Sequence, residues 1–213
     1  MANGTSGTKG GGGTATAKPV NNLPTVGELS PVNNQLDWID KNTTVEKSKQ
    51  YDTLLALKSF TGSSSGSIRD AQKASKADEY GKKGQMIEDY IKNAPQWDNS
   101  HDLHRGMGAP KEFLAKIKQA EGTNTPIDIN NSGTASWSLK YKVSENFSNS
   151  YGDNTPVIFR TKTMKNATPI MHISNFNSEK EVLSSKDNRF KIKKVSHKNI
   201  DGQKGYLIDV EPI

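Results

Sequence analysis

The chain has 213 residues, a formal net charge of +6, only 31% hydrophobic residues and no cysteine. That length allows one ordinary domain with a core plus a tail, and the mean hydropathy of −0.79 predicts that part of it is disordered. Without cysteine there can be no disulfide, cysteine nucleophile or thiolate metal site. The modest basic excess favours anionic partners: a phosphate-bearing ligand, an acidic protein surface or nucleic acid.

Residues 1–40 read as a disordered tail. Six of the first thirteen residues are glycine, and Ser, Thr, Asn and Pro follow, a composition that cannot offset its ordering entropy by burial. The N-terminus lacks the apolar run of a signal peptide, and no segment approaches the length of a membrane span. A soluble protein is expected, placed in a host cytoplasm, in a virion or outside the cell by a route without a signal peptide. Leu36, Trp38 and Ile39 can form an anchoring turn at the end of the tail.

A folded domain is expected over 41–213, with a helical part at about 44–95. "TVEKSKQYDTLLALKSF" carries a helical stripe of Val45, Tyr51, Leu54, Leu55 and Leu57. "TGSSSGS" breaks it, and "SIRDAQKASKADEYGKKGQMIEDYIKNAP" follows as two helices parted at Gly81 and Gly84 and ended by Pro95. From about 100 to 213 the texture is β-rich. One more helix, "PKEFLAKIKQA", has Pro110 suited to its first turn. Short runs then recur between Asn, Gly, Ser and Pro: "ASWSL", "PVIFRTK", "PIMHIS", "EKEVLSS", "RFKIKKVSH" and "GYLIDVEPI". Helices first and strands second predict an α+β fold with a mixed or antiparallel sheet.

Motifs for a dinucleotide fingerprint, a P-loop and a helical zinc site are missing, and His101, His104, His172 and His197 lack metal-ligand spacing. No metal is expected. The basic run Lys186–Lys198 has no interleaved aromatics, which argues for a solvated strand face over a nucleic-acid site. Three features remain, in fixed order. Arg105, followed by Gly106, can grip a phosphate bidentately. Ser136 and Ser138 share a face if "ASWS" is a strand. Glu179 and Glu181 would likewise share a strand face, roughly 6–7 Å apart, where like charge tends to raise one pKa. Phe147 follows the serines and Phe176 precedes the glutamates.

Arginine, then Ser-x-Ser, then Glu-x-Glu resembles the Arg–Ser–Glu class of arginine-specific mono-ADP-ribosyltransferases, of the clostridial binary-toxin and phage-encoded type. "FTGSSSGSIRDAQK" is similar to that family's Tyr-Thr-Gly turn and helix, "LHRGM" to its arginine strand, and "EKEVLSSKDNRFKIKKV" to its glutamate motif. The resemblance covers roughly 45–213. Two departures stand out: the family's Ser-Thr-Ser is here Ser136-Trp137-Ser138, and the further arginine that binary toxins place after the phenylalanine is replaced by Ser148, Asn149 and Ser150.

The resemblance implies a split sheet core with NAD as co-substrate in its cleft, and an acceptor protein with an accessible arginine. It implies that Glu181 stabilises the oxocarbenium-like state at the nicotinamide ribose, and that Glu179 orients and helps deprotonate the guanidinium. Ser136 would hold Glu181, Arg105 the NAD phosphates and the Gly106 backbone the nicotinamide amide. Ser138 would lie beside NAD, Phe147 against nicotinamide, and Phe176 on the loop that recognises the acceptor. Two other readings keep the same fold: an NAD glycohydrolase, and a non-catalytic binding or virion module.

Overall fold

In the computed structural model, which describes residues 23–148 and 153–213, the helices are built first. Asn34 caps α1 (Gln35–Asn42) by accepting from the Asp37 N–H, and Ile39 is its buried residue. α2 (Gln50–Phe60) buries Thr53, Ala56, Leu57 and Phe60. Of the expected stripe, Leu57 is buried and Val45 and Leu54 pack against the same core, while Tyr51 and Leu55 are 60% and 45% exposed. α3 (Ser65–Lys73) buries Ile68 and Ala71. α4 (Glu79–Asn93) starts at Asp78, whose side chain accepts from the Gly81 N–H, and stops before Pro95.

Gly81 and Gly84 therefore lie inside one helix instead of parting two. A Cβ on Gly84 would run into the Gln72 side chain, so this glycine lets α3 and α4 approach closely. Gln72 exploits the approach, donating to the Gly84 carbonyl and to the Thr134 hydroxyl.

Two short strands, β1 (Thr25–Val26) and β2 (Gln96–Trp97), pair in parallel. The main sheet contains β3 (Leu103–Ala109), β4 (Ala135–Ser138), β5 (Thr155–Thr161), β6 (Ala167–Pro169), β7 (Glu181–Ser184), β8 (Phe190–Ile200) and β9 (Gln203–Pro212). Its order is β6-β7-β4-β3-β5-β9-β8. Only β5 and β9 run parallel; the other neighbours are antiparallel. The fold is α+β with a mixed sheet.

The sheet is nearly cut in two between β3 and β4, which share the single register pair His104↔Ser138. By contrast β3 pairs with β5 over seven positions from Leu103↔Thr161 to Ala109↔Thr155. Ladder groups freed by such a split must find partners elsewhere or face a ligand. α5 (Lys111–Ala120) buries Leu114, Ile117 and Ala120 in a core with Trp137, Phe159, Val182, Phe190 and Ile208. A second core joins Ile39, Leu57, Phe60, Ile68, Ile87 and Ile91 of the helices to Leu183. α6 (Tyr141–Ser148) was not foreseen. A Cβ on Gly106 would collide with the Ser144 carbonyl and the Ser148 N–H, so only glycine allows α6 to lie directly on β3.

The tail expectation needs correction. Residues 1–22 lie outside the described residues, but 23–40 carry β1 and most of α1, and Ile39 is fully buried. The Val32 N–H donates to the His172 carbonyl, and Glu28 forms an ion pair with Lys180. "PIMHIS" is a strand only to Pro169, then a turn closed by Ile173 and Ser174 N–H groups on the Ile170 carbonyl. Among the described residues no helix is long and apolar enough to cross a membrane.

Candidate active site

A cavity of about 740 Å³ opens at the split and is lined by all eight residues singled out in the sequence: Arg105, Gly106, Ser136, Ser138, Phe147, Phe176, Glu179 and Glu181. This volume is in the range of small-molecule and cofactor sites.

Glu181 begins β7 and is 5% exposed. The register Ser138↔Glu181 and Ser136↔Leu183 places both serines on its face of the sheet, and Ser136 Oγ donates to Glu181 Oε1 at 2.5 Å. Ser174 donates to the other oxygen, Oε2, at 3.3 Å. Burial pushes the Glu181 carboxyl up to about 7; the two hydroxyl bonds pull it down and the nearby Glu179 charge adds to the rise. Glu181 thus changes charge near neutrality.

Ser138 lines the cavity and also ties the chain locally. Its hydroxyl donates to the Glu179 carbonyl at 2.5 Å and accepts the Lys140 N–H, so its one proton holds the glutamate loop. Trp137 explains the departure from Ser-Thr-Ser. It points to the opposite face, is 1% exposed and packs on Phe190 with ring centroids 5.5 Å apart.

The two glutamates do not share a strand, contrary to the expectation from their spacing. Glu179 ends a one-turn 3-10 helix, Asn177–Glu179, and Lys180 takes a left-handed conformation at φ 53° before β7 starts. The left-handed residue re-aims the chain, yet both side chains still line the cavity. Glu179 is half-buried, and burial raises its pKa. Phe176 precedes the 3-10 turn and is 52% exposed, while Phe147 on α6 is 61% exposed. Phe147 is therefore a cavity ring and not a core residue.

Opposite the acids stand two guanidinium groups. Arg105 Nη1 donates to the Ser136 carbonyl at 2.9 Å across the split. Burial, with the Arg69 charge second, lowers its pKa to about 9. Arg69, on α3, was not foreseen. It donates to the Asn130 carbonyl, and burial lowers its pKa too. Among the described residues neither Nε–H has an acceptor. Two half-buried cations line one cavity, a charge suited to pairing with an anion. The available signal was composition: Arg69 is one of four arginines among 29 Lys and Arg residues, inside "SIRDAQK". Ser174 was also missed, since nothing in its local sequence marks it.

No family model matches the chain, and no curated protein matches it by sequence. Solved structures do match. The Vis toxin from Vibrio splendidus, an ADP-ribosyltransferase solved with an inhibitor, aligns at TM-score 0.64 and 19% identity, over 84% of this chain and 80% of that one. It has also been solved with agmatine. Plx2a, an ADP-ribosyltransferase toxin from Paenibacillus larvae, aligns at TM-score 0.57 and 17% identity, over 87% of this chain and all of that one. Exoenzyme S from Pseudomonas aeruginosa, solved with carba-NAD and a 14-3-3 protein, aligns at TM-score 0.53 and 18% identity, over 74% and 72% of the two chains. The fold of this chain is that of the ADP-ribosyltransferases.

Proposed function

We propose that the chain transfers ADP-ribose from NAD to an arginine side chain of a target protein and releases nicotinamide. One observation carries the reading. A buried carboxylate held at both oxygens, Glu181, lines the cavity at the sheet split together with two half-buried arginines, Arg69 and Arg105.

In this reading the guanidinium groups of Arg69 and Arg105, both lining the cavity, take the NAD diphosphate. Phe147 lies against nicotinamide. Glu181, ionised above its raised pKa, stabilises positive charge developing on the ribose as the glycosidic bond lengthens. Ser136 fixes the carboxylate, so little reorganisation is needed as charge develops. Glu179 and Phe176 sit on the loop at the cavity mouth, where an incoming guanidinium would arrive. A protonated guanidinium is a poor nucleophile, and a half-buried carboxylate with a raised pKa suits proton removal from it. The agmatine complex of Vis shows that a guanidine ligand has been placed in a protein of this fold.

NAD hydrolysis is the competing reading, because Glu181 serves water equally well. Incubation with labelled NAD and agmatine separates them. Transfer predicts a mono-ADP-ribosylated guanidine by mass spectrometry together with nicotinamide. Nicotinamide without labelled agmatine or labelled protein arginine would leave a glycohydrolase.

A further inference from the structure

The loop that carries Glu179 is pinned by a hydroxyl that also touches Glu181. Ser174 is 7% exposed. A serine hydroxyl has one proton and can accept as well. Here the proton goes to Glu181 Oε2, and the oxygen accepts the Phe176 N–H at 3.1 Å. The Ser174 backbone is itself fixed, its N–H donating to the Ile170 carbonyl at 2.8 Å. The next residue is tied to α2: the Asn175 N–H donates to Thr61 Oγ1 and its side chain to the Lys58 carbonyl. Ser136 holds Glu181 from the β4 side and Ser174 from the loop side.

Resting on the transferase reading, we propose that Ser174 is a positioning residue that joins the two halves of the reaction: its hydroxyl holds the carboxylate facing the NAD ribose and the backbone of the loop that receives the acceptor. Glu181 Oε1 has its donor on a strand, but Oε2 has its donor on the loop. A shift of the loop on acceptor binding therefore changes the hydrogen bonding of the carboxylate, and a change at the carboxylate is felt at Phe176.

The charged and titratable groups lining the same cavity are Glu179 on the loop, Arg105 and His104 on β3 and Arg69 on α3. None of these is replaced by Ser174→Ala, which removes the loop-side donor to Glu181 and the acceptor of the Phe176 N–H. Loss of a hydrogen bond to a carboxylate raises its pKa. The test follows Glu181 directly, by titrating the 13C-labelled glutamate side chains by NMR, with Glu181→Gln giving the assignment. In Ser174→Ala the Glu181 midpoint should rise by about half a pH unit or more. The acidic limb of nicotinamide release should move up by the same amount. The KM for agmatine should rise about threefold to tenfold through loss of the Phe176 anchor. Ser174→Thr, which keeps the hydroxyl, should restore both.

A merely structural serine predicts a lower Tm with an unmoved midpoint and an unmoved agmatine KM, and that result overturns the proposal. If Ser174→Ala folds poorly, Ser174→Cys, whose thiol is a weak donor, should show the same displacement. A wild-type chain that releases no nicotinamide refutes the transferase reading instead, and the NMR midpoint still decides whether Ser174 restrains Glu181.

Discussion

Glu181→Gln should make the protein more stable as well as inactive. An ordinary glutamate titrates at 4.5, and burial pushes Glu181 up to about 7. The folded carboxyl thus holds its proton more tightly than the unfolded one. Stability contributed by the protonated form is complete below pH about 4.5 and declines as the pH climbs to about 7. The difference corresponds to about 3 kcal/mol against the ionised fold. Glutamine keeps the size and accepts from Ser136 with its carbonyl, but its amide cannot accept from Ser174, whose proton must turn elsewhere, a small cost set against the gain. Near pH 8 the variant should melt higher by roughly 5–10 °C for a domain of this size, and the gap should close near pH 4. Thermal unfolding across pH 4–8, alongside nicotinamide release at pH 8, checks both halves. A Tm difference that does not vary with pH would refute the reasoning, because it means the carboxyl is not raised by burial. Wild-type rates of nicotinamide release by the variant would refute its assigned chemistry.

Glu179→Gln should abolish transfer to agmatine yet keep measurable nicotinamide release, since water needs no carboxylate to orient a guanidinium; near wild-type labelling would remove Glu179 from the mechanism. Arg69→Ala should raise the NAD KM about tenfold to a hundredfold through loss of a charged hydrogen bond, with less effect on Tm; an unchanged KM would show that the diphosphate lies elsewhere. Phe147→Ala should weaken NAD binding by about 1 kcal/mol, measured by calorimetry, and barely move the Tm because the ring is 61% exposed. Deleting 1–22, whose Gly-, Ser- and Thr-rich composition offers little to bury, should leave Tm and activity unchanged. Deleting 1–40 strips β1, the Glu28 partner of Lys180 and fully buried Ile39. Losing that last side chain alone costs about 2–5 kcal/mol, so an unchanged Tm would show that this segment does not pack.

By itself the sequence determined the fold class and picked out residues that share one cavity. The order of helical and strand textures predicted α+β, and Arg105, Ser136, Glu179 and Glu181 all line one cavity because each sits in a short motif whose residue types announce their chemistry. The sequence misled where periodicity was taken for conformation. Spacing two residues apart puts Glu179 and Glu181 on one strand face only if the backbone stays extended, and the left-handed turn at Lys180 breaks that condition. Gly81 and Gly84 looked like helix breakers, but close packing of α4 on Gln72 overrides their local preference. Composition hid the order in 23–40, because a few buried side chains such as Ile39 suffice to fix a polar segment. Only the tertiary structure could bring Arg69 from α3 to the cavity and Ser174 from the loop after β6 to the Glu181 carboxylate. Those contacts join residues far apart in the chain, Arg69 facing Arg105 and Ser174 the carboxylate of Glu181, and such pairings are set by how elements pack, not by any local pattern.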